Sequence, residues 1–413
     1  MAGVADKARF YLERAAPQLR EFEDKEIFSG EEIKSLVNKR SDFEHLVLAP
    51  GARPAEFLAY VAWERSLDRL RAKRCRRLRV HASNSHPSEA RTFGIFERAV
   101  MKHPGSVPLW TAYLDFAASA KAAKRWRRIV TRALRLHPTN AGLWILAGQR
   151  AANSGDMEHA RAHFLRGCRF CTGEPTLWVE YARCEMEWLA KIEAKKGGKG
   201  VRKGANVMEA IKATEATEQE GDVIAFDEDD DDSDAGEDAM LVLPDPDAGK
   251  KAMAPVFGEE ETKKLEQSPA LSGAIPMAIF DVARKQRFYG APTAEIFFDM
   301  FSQFLQVSSQ EKIIDHVLGA MEEFSTHPST CNCKIRQPLA GVEPQSVEFP
   351  RALRDSLNRL RAAMETTDNK KVLAQKTIAW VEPILKVENL DAGIRTVLEH
   401  TKRSMGELSS RYP

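Results

Sequence analysis

No apolar run in this 413-residue chain is long enough to cross a bilayer, which takes about 20 consecutive apolar residues. The N-terminus shows no apolar h-region, so a secretory signal is not expected. Cysteine is sparse, six residues in all. That suits reduced thiols of the cytosol or nucleus rather than a disulfide framework. No stretch alternates apolar and polar residues with period two, so no sheet is expected. No Ser/His/Asp, Cys/His or paired-carboxylate arrangement stands out either. A triad is assembled in space, so the absence of a motif does not exclude catalysis, but nothing nominates a nucleophile and an enzyme ranks last. The stretch from Lys196 to Lys203 is rich in glycine and lysine. It lacks the P-loop order, in which Lys-Ser or Lys-Thr follows the last glycine, and suits a flexible linker better.

What is present is enough for a folded core: 43% of residues are hydrophobic and 8% aromatic. The length allows two or three domains. A net charge of +1 hides an asymmetry. Residues 51–150 carry 20 Lys/Arg against 6 Asp/Glu, whereas residues 201–250 carry 4 against 16. A basic block and an acidic block in one chain suggest an electrostatic partner surface and a solvated tether.

The strongest pattern is a repeat. Trp110, Trp144 and Trp178 stand 34 residues apart, each after a leucine (Leu109, Leu143, Leu177). Phe96, Val130 and Phe164 keep the register, as do Arg98, Arg132 and Arg166, and then Ala99, Ala133 and Gly167. A period of 34 is that of a helix–turn–helix repeat. Such a unit cannot bury its apolar face alone, so units stack. The first helix of a unit also carries Tyr113 or Tyr181, with Ala147 in the middle unit. Pro104 and Pro138 end the second helices, since proline cannot continue them. The repeat tryptophans are expected in the core rather than as exposed platforms for stacking bases.

Four segments follow. Residues 1–80 read as an N-terminal helical module. Ser29 and Glu32 fit a capping box with Phe28 as its staple residue, and Pro54 suits a helix start. Apolar spacing then runs through Phe57, Tyr60, Val61, Trp63, Leu67, Leu70 and Leu78. Residues 81–193 are the repeat array. Residues 194–268 read as a basic and then acidic disordered linker, with a short helix possible over 207–216. Residues 269–413 read as degenerate C-terminal helical repeats. There Ile279, Phe280, Val282 and Ala283 mark one helix face, and Ile296, Phe297, Phe298, Phe301 and Phe304 another. Ile313, Ile314, Val317 and Met321 mark a third, in a unit ending near Pro328. A loop is expected over 329–350. Leu353/Leu357/Leu360, Ile378/Val381/Leu385 and Ile394/Val397/Leu398 suggest three more helices.

Tryptophan-bearing 34-residue pairs, with an aromatic first helix and Phe-x-Arg-Ala in the second, resemble half-a-TPR (HAT) repeats, which are typical of RNA-processing assemblies. The segments Arg9–Glu13, Lys39–His45 and Leu70–Arg77 resemble the N-terminal signature of the U3 small nucleolar RNA-associated protein 6 family. Leu136–Asn140 and Ile279–Val282 fit the same family. The resemblance is specific over about 1–190 and thinner over 270–413. It implies an all-α fold, a right-handed α-solenoid of HAT helix pairs with a disordered acidic insert. It also implies a non-catalytic scaffold subunit of the UTP-B subcomplex in the small-subunit processome (90S pre-ribosome). That nucleolar assembly folds and processes pre-rRNA toward 18S rRNA. The implied partners are β-propeller subunits, especially U3 small nucleolar RNA-associated protein 18, with the 5′ external transcribed spacer and the U3 snoRNP. No catalytic residue, cofactor, small-molecule ligand or membrane is implied. A HAT scaffold of another RNA-processing machine, or a protein acting by direct RNA binding, are the alternatives.

Among candidate sites the basic helix comes first: Arg69, Arg71, Lys73, Arg74, Arg76, Arg77 and Arg79 cover more than one helix face. Cations pointing away from the core can contact phosphates and release counterions, or meet an acidic partner. The competing readings are a solvated helix with local pairs to Asp68 and Glu64, and a nuclear-import signal. Lys121, Lys124, Arg125, Arg127 and Arg128 form a second cluster around Trp126, a core anchor. Cys168-x-x-Cys171 has metal-like spacing without a matching pair, and Cys184 is isolated. Structural zinc usually takes four ligands. Cys331-x-Cys333, after His327, is expected in a loop, and all are read as free thiols, with no metal site. The acidic run Phe226–Asp238 reads as a tether or a phosphate mimic, with Ser233 in a phosphorylation context. His103 and His137 lie one repeat apart, which points to a structural role.

Overall fold

Helix boundaries here follow local capping chemistry. At Ser29 the side chain accepts from the Glu32 backbone N–H at 3.3 Å, and Glu32 Oε2 accepts from the Ser29 N–H at 3.0 Å. Two otherwise orphaned donors are satisfied reciprocally. Phe28 is buried and packs in the cluster that includes Ile33, as a staple requires. Pro54 opens its helix at the first position. Asn140, Asp156 and Asn369 each cap a helix by accepting from the N–H three residues on.

The computed structural model describes residues 2–80, 86–198, 273–387 and 390–411. Among them are 17 α-helices, two 3-10 turns and no strand, an all-α fold of packed helix pairs. They divide into a unit ending at Pro138 and a unit beginning at Thr139. The first holds α1 (Ala2–Glu13), α2 (Ala16–Asp24), α3 (Gly30–Leu48), α4 (Pro54–Leu78), α5 (His86–Lys102), α6 (Val107–Ser119) and α7 (Ala123–Leu136). The second holds α8 (Ala141–Asn153), α9 (Met157–Phe170), α10 (Pro175–Gly198), α11 (Ala274–Arg284), α12 (Ala291–Phe301), α13 (Gln310–Ala320), α14 (Pro328–Arg336), α15 (Phe349–Thr366), α16 (Lys370–Leu385) and α17 (Ala392–Arg411). The expected linker beyond residue 198, with the helix at 207–216, the acidic run and Ser233, lies outside the described residues.

The repeat columns have distinct physical roles. Leu109, Leu143 and Leu177 are fully buried, and so are Trp110, Trp144, Trp178, Tyr113 and Tyr181. Their ring faces are spent on the core. Phe164 stacks on Tyr181 with ring centroids 5.1 Å apart. The column of Ala99, Ala133 and Gly167 is small because helices cross there. A Cβ on Gly167 would stand 2.9 Å from the Cβ of Trp144, and one on Gly148 would stand 2.4 Å from the Phe164 ring. Real Cβ atoms do not tolerate such distances in a packed interior. Two members of the arginine column, Arg98 and Arg132, sit at the rim of the core and bond back to the preceding layer. Arg98 of α5 reaches Glu44 of α3, and Arg132 of α7 reaches Glu97 of α5. Trp110 Nε1 donates to the Pro104 carbonyl at 2.9 Å, and His137 Nε2 meets the same oxygen at 2.8 Å. His137 thus ties the segment after α7 to the one after α5.

In the second unit α10 packs against α8, α9, α11 and α12. Trp178 meets Phe288 at 6.3 Å between centroids, and Ser308 donates to Glu193 through both its N–H and its hydroxyl. The last helices share a core of Ile335, Phe349, Leu353, Leu360, Leu373, Val381 and Leu398.

Three expectations need correction. Residues 329–350 are not a single loop: α14 occupies Pro328–Arg336, and a 3-10 turn follows over Gln337–Leu339. Cys331 and Cys333 are therefore helical. Leu70 and Leu78 are 41% and 44% exposed, so the buried stripe of α4 does not include them. Ile296 is 47% exposed on the outer side of α12, opposite Phe297 and Phe298.

Candidate functional site

The seven cations from Arg69 to Arg79 separate into two groups once α4 is placed. Arg71 is 4% exposed and lies against Asp68, with Nη2 2.9 Å from Oδ1. Arg74 donates to both Glu32 oxygens at 2.7 Å and to the Ile27 carbonyl at 3.1 Å, with its guanidinium 4.6 Å from the Phe28 ring centroid. The Arg74 hydrogen bond, aided by the Ser29 N–H, holds the Glu32 carboxyl down to about 2. Arg71 and Arg74 thus belong to the fold. Arg69, Lys73, Arg76, Arg77 and Arg79 are exposed. None of these five pairs with an acid among the described residues. Of the two local partners expected from sequence, Asp68 serves Arg71, whereas Glu64 points inward to another helix.

The second basic cluster is divided in the same way. Trp126 is buried as a core anchor. The Arg125 guanidinium lies 4.8 Å from the Phe93 ring centroid, and Arg128 is half-buried. Lys121, Lys124, Arg125 and Arg127 are exposed.

Beneath the basic helix lies a buried charge network that sequence reading passed over. Arg40 is 1% exposed and grips Glu64, itself 2% exposed, by two bonds of 2.8 and 3.0 Å. Arg91 approaches the same carboxylate at 3.8 Å. One turn along α3, Glu44 accepts from the Tyr60 hydroxyl at 2.9 Å and from Arg98 at 2.7 and 3.0 Å. Arg98 also covers the Tyr11 ring at 3.9 Å. Phe43 stacks on Tyr60 with rings nearly parallel. Burial, then the charges of Glu44 and Glu64, push the Tyr60 phenol far above its usual range, so it stays a donor. Bidentate pairs of this kind fix geometry as well as charge. The network ties α1, α3, α4 and α5 together and holds α4 at a defined rotation. A similar pair in the second unit, Arg161 with Glu185 at 2.7 and 2.9 Å, ties α9 to α10.

The cysteines are all buried free thiols. Burial pushes Cys171 up to about 11 and Cys184 up to about 12, the opposite of what a thiolate ligand or nucleophile needs. Among the described residues no group of three or more His, Cys, Asp or Glu is placed to hold a metal. No described helix is long and apolar enough to cross a membrane.

Residues 12–102 match the family model of U3 small nucleolar RNA-associated protein 6. The matched segment runs from the end of α1 through α5. It contains Lys39–His45 and Leu70–Arg77 of the signature, and with them Arg40, Glu44, Tyr60, Glu64, Arg91 and Arg98. Relatives bearing the same name agree. The Schizosaccharomyces pombe U3 small nucleolar RNA-associated protein 6 is 31% identical over 196 residues, covering 46% of this chain and 40% of its own. The human homolog is 29% identical over 189 residues, covering 45% of this chain and 32% of its own. The Dictyostelium discoideum homolog is 23% identical over 189 residues, covering 45% of this chain and 31% of its own. The chain thus spans well under half the length of the curated relatives it matches. The residues that lock α3, α4 and α5 all fall inside the matched segment.

Proposed function

We propose that this chain is a non-catalytic scaffold acting with the U3 small nucleolar RNA in small-subunit ribosome biogenesis, where pre-rRNA is processed toward 18S rRNA. The observation that carries the proposal is the match of residues 12–102, together with three relatives named as U3 small nucleolar RNA-associated protein 6 or its homolog. The geometry supports it. Helix pairs locked by buried bidentate ion pairs present fixed outer surfaces, and the buried thiols and phenols are held in their neutral forms. In finer detail, the chain serves as a UTP-B subunit of the small-subunit processome in the nucleolus. It binds β-propeller subunits, U3 small nucleolar RNA-associated protein 18 among them, near the 5′ external transcribed spacer. The mechanism is avidity. The helical module 1–80 and the repeat array 81–193 engage different partners, and the linker 194–268 joins them to the helices of 269–413.

Affinity purification of the tagged chain at about 0.1 M and about 0.5 M salt tests this, because phosphate contacts weaken strongly over that range. A fixed set of β-propeller proteins retained at the higher salt is the expected result. Loss of every protein, with RNA the only low-salt partner, overturns it. Recovery of splicing or 3′-end processing proteins instead assigns the scaffold to another machine.

A further inference from the structure

We propose that the outer face of α4 is a docking stripe for the phosphate backbone of double-stranded RNA, with Arg69, Lys73, Arg76 and Arg77 as the contacting side chains. The proposal rests on the reading that the chain works in an RNA-processing assembly, and it names the form of nucleic acid that the α4 face meets. At 3.6 residues per turn, positions 69, 73, 76 and 77 fall within an arc of about 100°. They share that arc with Ala62 and Ser66, which are also exposed. The opposite side of the helix carries Tyr60, Glu64, Leu67, Arg71 and Cys75, all buried. From Arg69 to Arg77 the stripe is about 12 Å long, at 1.5 Å per residue.

Among the described residues no acid pairs with these four cations. No acidic residue occurs between Asp68 and Glu89, and the two cations that have internal uses, Arg71 and Arg74, lie off the stripe. Like charges three and four residues apart oppose the helix, so the stripe gains nothing for α4 on its own. Cations near a helix C-terminus interact favourably with its dipole, which accounts for Arg76 and Arg77 in the last turn. The effect fades within one turn, and Arg69 and Lys73 stand beyond it. The stripe is also held still. Arg40 grips α4 through Glu64, and Arg74 ties it to the cap of α3. With the helix fixed, only the side chains remain to be ordered when phosphates arrive.

The form of nucleic acid follows from what the stripe lacks. Single strands are bound by stacking bases on exposed aromatic rings. The aromatics of α4 are Phe57 and Tyr60, both buried, and Trp63, packed at 5.6 Å against Phe43. Duplex RNA is recognised by shape and by its phosphates and 2′-hydroxyls, which requires cations at fixed spacing and no platform.

The test uses the full chain and a variant carrying Arg69→Gln, Lys73→Gln, Arg76→Gln and Arg77→Gln. Binding is read by fluorescence anisotropy with a 20-base-pair RNA duplex, an unstructured 20-nucleotide strand and a polyglutamate peptide, between 50 and 200 mM salt. Four phosphate contacts contribute about 3.6 to the slope of log affinity against log salt, taking the B-DNA value of about 0.9 per contact as a guide. The variant should lose roughly that slope. Between 50 and 200 mM salt the parent's duplex affinity should fall about 100-fold more than the variant's, while the variant's helical content and melting temperature stay at the parent values. An unchanged slope overturns the proposal. So does an equal loss for the single strand. Binding of polyglutamate through these four residues, without binding of duplex, assigns the stripe to an acidic protein instead. The proteins co-purified by the variant report on the scaffold reading separately, because contacts through other faces survive the substitution.

Discussion

Replacing Glu64 by alanine should be the most damaging single change in the first unit. Glu64 is the only acid bonded to Arg40 among the described residues, by two bonds of 2.8 and 3.0 Å, and it also faces Arg91 at 3.8 Å. Without it two guanidinium groups confront each other between α3, α4 and α5. The Arg91 guanidinium is already held below its ordinary value, first by burial and then by the charge of Arg40. Breaking a buried pair from one side typically costs about 3–5 kcal/mol, because the remaining charge is stranded. Arg40→Met should cost less, since Glu64 keeps Arg91 as a partner. The double variant Arg40→Met, Glu64→Leu should recover most of the loss, because apolar replacement of a buried pair is often near neutral. Amide hydrogen exchange of α3 and α4 in the full chain reads the opening free energy locally. A loss below about 1 kcal/mol for Glu64→Ala, the level of an exposed pair, would refute the reasoning. An Arg40→Met loss as large as that of Glu64→Ala would show that Arg91 does not share the carboxylate.

Three other outcomes are expected. Gly148→Ala places a Cβ 2.4 Å from the Phe164 ring and should cost about 1–3 kcal/mol as overpacking, read as a lower melting temperature. Phe164→Leu in the same background should restore part of it, and no recovery would place the strain elsewhere. His163 is held down to about 4 from 6.5, mainly by burial and then by the charges of His159 and Arg166. The folded state therefore disfavours its protonation. Full stability is present above pH 6.5 and falls as pH drops toward 4, by a total on the order of 3 kcal/mol. Urea unfolding of His163→Gln at pH 7 and at pH 4.5 should show a smaller acid loss than the parent chain; an identical loss would remove His163 as its source. All six thiols are buried, so a thiol reagent at pH 8 should label the native chain slowly and the urea-unfolded chain at once. Fast native labelling of Cys171 or Cys184 would contradict their raised values.

Much of the architecture was legible because its signals are local. The 34-residue register needs only like residues at fixed spacing, and Leu143, Trp144 and Phe164 each sit where the register puts them. The box at Ser29 and Glu32 spans four residues. Where the reading failed, the missing information was which side of a helix its neighbours occupy. Leu67 and Leu70 are three residues apart in α4, and spacing alone cannot tell that only Leu67 meets the core. The spacing marks a unit boundary at Pro328 but does not tell that this proline opens α14. The His327 ring, an unusual cap, accepts there from the Ser329 N–H at 3.1 Å. The buried charge network was invisible for a stronger reason. Arg40 and Glu64 are 24 residues apart, and Arg98 and Glu44 are 54 apart. No propensity or spacing rule links such pairs before the helices are placed.

The same limit governs how a basic block should be understood. Counted along the chain, Arg69 to Arg79 is one cluster of seven equivalent cations. Placed on α4, it becomes two internal arginines and an outward row, and the two groups predict different phenotypes. Loss of Arg71 or Arg74 should loosen the junction of α2, α3 and α4 and weaken every surface of the first unit together, with any effect on RNA binding following from lost structure. Loss of Arg69, Lys73, Arg76 and Arg77 should leave the fold intact and change only what that face can hold. Neutralising the whole cluster at once would merge these effects and make a folding defect look like a binding site. A charge cluster read from sequence marks a binding surface only after the members the fold itself consumes have been subtracted. In α4 that subtraction leaves a single-faced stripe aimed at solvent.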